Sequence, residues 1–143
     1  PTNTYTSKAE LCFVVHNYKK NSTNMNKVNI QDKLDLVKEY WKPIIVGELN
    51  NQHVKLVKIK DEFTMHHHEN EDELFLVIKG ILKMDYGDRI VEVNEGEFII
   101  VPRGVKHRPI ADSEVHLLLF EPETTLNTGN IRNELTVDKP KKM

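Results

Sequence analysis

The feature that most constrains how this chain can fold is a change of period after Pro43. From there to Phe120 apolar residues return at alternate positions in short runs, at 44–49, 54–59, 63–68, 74–78, 81–86, 89–93, 98–101 and 115–120. A period of two puts side chains on opposite faces of a strand. The runs are separated by residues that turn a chain: Asn50 and Asn51, Lys60 and Asp61, Gly80, Tyr86 to Asp88, Asn94 to Gly96, and Pro102 to Gly104. None of these separators has room for a crossover helix, so the eight strands are expected to pair antiparallel and close as a two-sheet barrel.

Ahead of the strands, Ile30, Leu34, Val37 and Trp41 fall at three- and four-residue steps. That spacing predicts one amphipathic helix over 29–41, capped by Asn29, ended by Pro43 and packed on the barrel wall. Residues 1–26 are polar and rich in Asn, Ser and Thr apart from the run at 11–15, and they read as an arm added to a single domain over 27–143. The rival reading makes 11–15 an edge strand. After Pro122, residues 123–138 read as a return loop with an edge strand at 134–137, and Lys139, Lys141 and Lys142 as a solvated tail.

Two of the runs carry chemistry. His66 and His68 are two apart and so share a face of a strand, and Glu73 opens the next run after a polar turn. Two imidazoles and a carboxylate brought to one point suit a divalent metal ion. Downstream, the run at 98–101 enters a Pro102-x-Gly104 turn that re-aims the chain, so that His107 can point back toward the same place.

These segments resemble the paired motifs of the cupin superfamily. In the first motif His66, His68, Glu73 and Gly80 stand at the family's positions, and in the second Gly96, Pro102, Gly104 and His107 do. Eight identities at fixed spacing arise by chance at roughly 10^-10 per starting position, given average residue usage. Two positions depart from the pattern: Lys60 stands where a glycine is frequent and Ala111 where an asparagine is frequent. Neither position is a metal ligand in the family. The resemblance implies an all-β double-stranded β-helix, a jelly-roll barrel with one short N-terminal helix. It also implies a metal set of His66, His68, Glu73 and His107, with Glu69, Glu71 and Asp72 left as solvated turn residues. Residues 34–137 further look like small bacterial cupins described as similar to mannose-6-phosphate isomerase.

Four such ligands leave one or two positions of a five- or six-coordinate ion for water or substrate. Imidazole mixed with carboxylate suits Fe, Mn, Ni or Zn without choosing among them. Candidates to line the pocket are Phe75, Met84, Tyr86, Phe98, Ile100 and His116. Arg103 and Arg108 flank the second motif and are placed to meet an anionic substrate or simply to sit at the surface. His67 should face away from its neighbours, and His16 and His53 are isolated.

A net charge of -2 gives no electrostatic case for nucleic acid, and no apolar run approaches a membrane span. Cys12 is single, so no disulfide framework exists, and a reducing, cytoplasmic setting is expected. The functions in contention are a metal-dependent enzyme on a small polar molecule, of isomerase, epimerase, lyase or dioxygenase type, and a cupin that binds metal or ligand without turnover. A homodimer is expected, with the N-terminal segment or the helix near 34–41 at the contact, since open jelly-rolls leave strand edges to cover.

Overall fold

The computed structural model describes residues 25–143. The proposed arm, the alternative strand at 11–15, Cys12 and His16 lie outside this range, apart from the arm's last two residues. Helix α1 (Ile30–Leu36) precedes β1 (Ile44–Leu49), β2 (Gln52–Glu62), β3 (Glu73–Lys79), β4 (Leu82–Asp85), β5 (Ile90–Val93), β6 (Phe98–Val101), β7 (Arg108–Pro122) and β8 (Lys141–Lys142).

Strand β7 organises the barrel because it is paired along both of its edges. Its start pairs with β4, its later half with β3, and β2 runs antiparallel along its other edge. The strand order is β5-β4-β7-β2-β1-β8, with β3 held between β7 and β6. All of these pairings are antiparallel except β1 with β8, and the result is a jelly-roll with one short helix. Asn50 and Asn51 both have positive φ, at 47° and 60°, as a two-residue turn between twisted strands requires.

Two apolar clusters hold the fold. Inside the barrel, Val57 and Ile59, Phe75 and Val77, Leu82 and Met84, and Val115, Leu117 and Leu119 interlock, all buried. Outside it, Leu34 and Val37 pack on Ile44 and Leu56, which places the helical stripe on the barrel wall. Fully burying a leucine contributes about 1.5–3 kcal/mol, so Leu34 alone largely fixes α1 to the sheet.

The differences from the sequence reading have local causes. The helix keeps its Asn29 cap, whose side chain accepts the Asp32 N–H at 3.1 Å, but it ends at Leu36, well short of Pro43. Trp41 leaves the helical stripe with φ 62° and stacks on Phe63 at 4.8 Å while its Nε1 donates to the Lys60 carbonyl. Residues 63–68 form no strand. They are held by a single bridge between His66 and His107 and by the Phe63 N–H donating to the Pro109 carbonyl of β7, while His67 and His68 bond to loops. Strand β7 starts earlier than alternation suggested because Asp112, Ser113 and Glu114 interrupt the apolar pattern while staying in the strand. Residues 134–137 are not a strand, since side chains of Asn127, Asn133 and Thr136 bind that stretch into turns. The edge strand is Lys141–Lys142, parallel to β1.

Candidate metal centre

Two loops and one strand end build the site. His66 and His68 lie between β2 and β3, Glu73 is the first residue of β3, and His107 immediately precedes β7. His66 and His107 exchange backbone hydrogen bonds of 3.0 and 2.9 Å, which fixes one histidine opposite the other. The Pro102–Gly104 turn is tied to the same place, as the Gly104 N–H donates to the His68 carbonyl at 2.6 Å. Asp72 clamps the two motifs by accepting from the Arg103 backbone at 2.8 Å and from its guanidinium at 3.2 Å.

The four side chains are buried, and one donor atom from each lies within 4.8 Å of the others. Nδ1 of His66 donates to the Thr64 carbonyl at 2.8 Å and Nδ1 of His107 to the Val105 carbonyl at 2.9 Å, since a carbonyl can only accept. In the neutral form of each ring Nε2 is then left as a lone pair, which is how such outer bonds prepare an imidazole to ligate. Glu73 Oε2 lies 3.0 Å from Nε2 of His68 and 3.0 Å from Nε2 of His107. All three atoms are buried without an aligned hydrogen-bond partner. Bonds of about 2.1 Å meeting at a right angle put their ligand atoms about 3.0 Å apart. The residues present thus fit a divalent ion, and an ion answers the otherwise unexplained burial of three unpaired polar atoms.

Electrostatics agree. Burial lowers the His66 pKa to about 4, helped by His107, so the ring is neutral and ready to ligate. For Glu73 burial acts upward, but the His107 and His68 imidazoles outweigh it and hold the carboxyl below its usual range. His67 points elsewhere, with Nε2 2.7 Å from Glu69.

Beside the cluster is a cavity of about 50 Å³ whose wall includes Trp41, Phe63, Phe75, Leu117 and Leu119. Of the residues expected there, Phe75 lines it. Met84 is buried in the barrel core without reaching the cavity, and Tyr86 packs against that core with Arg89 over its ring at 4.9 Å. Phe98 and Ile100 are corrected to the outer face, 60% and 52% exposed, because β6 turns Val101 inward and a one-residue phase change exchanges faces. His116 is buried on the outer side of β7, with Nε2 2.7 Å from Glu114. Arg103 is engaged with Asp72, and Arg108 with Asp85 and Glu62.

Sequence reasoning missed Glu121 and Lys55. Both are buried, with Lys55 Nζ 2.7 Å from Glu121 Oε1, and Glu121 borders the cavity together with Glu73. Burial, then the charge of Glu73, push the Glu121 carboxyl well above the usual range, against the pull of Lys55. The available signal was a charge in the inward phase of an apolar strand: Lys55 alternates with Val57 and Ile59, and Glu121 with Leu119 and Leu117.

A small antiparallel jelly-roll with a buried cluster of three imidazoles and one carboxylate defines a class of metal-binding barrel. The Cupin domain family model matches residues 53–121. A cupin-2 domain containing protein from Shewanella frigidimarina NCIMB 400 is 36% identical, with a TM-score of 0.66 over 66% of this chain and 93% of that one. A protein of known structure from Neisseria meningitidis is 30% identical, with a TM-score of 0.63 over 68% and 99% of the two chains. The uncharacterized protein YdbB of Bacillus subtilis (strain 168) is 34% identical over 73 residues, which are 50% of this chain and 65% of that protein. This chain therefore matches just under two thirds of that relative's length. The chain belongs to the cupin family.

Proposed function

We propose that this cupin holds one divalent transition-metal ion on His66, His68, Glu73 and His107 and presents it to a small molecule. The observation that carries the reading is the convergence of His68 Nε2, Glu73 Oε2 and His107 Nε2, each buried and unpaired. A bound ion supplies Lewis acidity and exchangeable coordination positions. The protein's part is to hold the three imidazoles in place, two of them through backbone carbonyls at Nδ1, and to surround the ion with an apolar wall that strengthens its field.

The cavity limits what reaches that point. Ligand pockets commonly enclose about 300–1,000 Å³, whereas this one has about 50 Å³, bounded mainly by aromatic and aliphatic side chains. It suits water, a diatomic molecule or the polar head of a larger ligand, and it does not enclose a sugar. An organic substrate of either the isomerase or the dioxygenase type would therefore reach the ion with part of it outside the cavity. The same narrowness favours a second reading, in which metal or ligand is held without turnover.

Protein purified without chelator or added metal should contain about one divalent ion per chain by elemental analysis. His66→Ala combined with His68→Ala should abolish it, and unchanged metal content in that variant sinks the assignment.

A further inference from the structure

The structure assigns to the buried pair Lys55 and Glu121 the task of holding the Glu73 carboxylate in its ligating orientation. This inference rests on the metal reading above and adds two residues that contact no ion. In the β3–β7 register Leu74 faces Phe120 and Phe75 faces Leu119, so Glu73 faces Glu121 on the inner side of the sheet. Both side chains line the same cavity. In the β2–β7 register Lys55 faces Leu119, one inward step from Glu121, and its ammonium reaches Glu121 Oε1 at 2.7 Å. A row therefore runs across three strands from Lys55 through Glu121 to Glu73, and only its last member belongs to the metal cluster.

Packing alone gives no reason for this row. Lys55 and Glu121 are 1% and 2% exposed amid Val57, Leu117 and Leu119. Replacing a buried ion pair by apolar side chains of similar volume is often neutral or stabilising. Glu121 Oε2 is buried without an ordinary donor, as is Glu73 Oε2, and the register sets the two residues opposite each other. Ligating carboxylates are commonly fixed by such outer contacts, whose loss weakens metal binding about 10- to 100-fold. His66 and His107 have backbone carbonyls in that role, and Glu121 is the matching contact for Glu73.

The test uses Co(II) as the probe, read by its affinity and its visible d–d bands, on the whole chain. Lys55→Met with Glu121→Leu removes both charges together and avoids leaving one unpaired. It should keep the melting temperature of the metal-free protein while losing at least tenfold in Co(II) affinity and shifting the bands. Glu121→Gln, which keeps polar contact with Glu73 and Lys55, should bind within about threefold of wild type with unshifted bands. Should the apolar pair not fold, Lys55→Met with Glu121→Gln carries the test, because the amide stays but loses its anchor; a loss of threefold or more with shifted bands is expected. Wild-type affinity and bands in the uncharged variants would overturn the inference, as would a loss in Glu121→Gln equal to that of the apolar pair. Failure of the wild type itself to bind Co(II) would instead overturn the metal reading.

Discussion

At the scale of single residues, His66 shows how burial serves chemistry. Its pKa of about 4 lies below the unfolded value of about 6.5. Between those pH values the unfolded chain binds more protons than the folded one, so stability falls as pH drops through 6.5 and the effect saturates below about 4. Fully developed, it is worth at most about 3 kcal/mol. Glu73, held low, adds a loss that begins as pH falls through the ordinary carboxylate range. Chelator-treated protein should therefore melt several degrees lower at pH 5 than at pH 7.5. A melting temperature that does not change between these values would show a solvated His66 and a more open site.

At the scale of elements, the strap after β7 does more than return the chain. Asn130 donates its N–H to the His67 carbonyl at 3.1 Å and its side chain accepts the His67 N–H at 2.9 Å. Asn133 donates to Thr64 Oγ1 at 2.7 Å. Gly129, with φ 54°, passes so close that a Cβ there would lie 2.1 Å from the His67 carbonyl oxygen and 3.1 Å from the His66 ring. Gly129→Ala must displace the strap or the 64–68 loop. It should cost about 2 kcal/mol and lower metal occupancy, read by denaturant midpoint and elemental analysis. An unchanged midpoint would mean that the strap does not brace the histidines. This dependence was hidden in the sequence, because a glycine in a polar loop gives no sign of what lies against it. The strands were legible wherever burial alternates along them, as in β3 and β6, and the four clustered side chains were legible from spacing. What escaped were features set by distant partners: the early end of α1, the phase of β6, the strap, and the Lys55–Glu121 pair.

At the scale of the whole molecule, three strands among the described residues have a single partner, β5, β6 and β8. Of these β6 carries large apolar side chains outward: Phe98 and Ile100 stand exposed next to Leu76 and Leu74, their register partners on β3. Unpaired edges with apolar side chains invite another chain, and a two-fold axis beside β6 would join two identical edges and both apolar rows. We therefore expect a homodimer through β6, displaced from the contact at α1 or the N-terminal segment that the sequence suggested. Light scattering at micromolar concentration should give twice the chain mass, and Phe98→Lys with Ile100→Glu should give the chain mass with metal content unchanged. A chain beginning at Met25 carries the Asn29 cap, every described strand and all four clustered side chains. It should keep its metal, its melting temperature and its partner. If that shortened chain is monomeric while the full one is dimeric, the contact belongs to residues before Met25. If it also melts several degrees lower, for a loss of about 1–2 kcal/mol, those residues are part of the fold and the domain boundary near residue 26 is wrong.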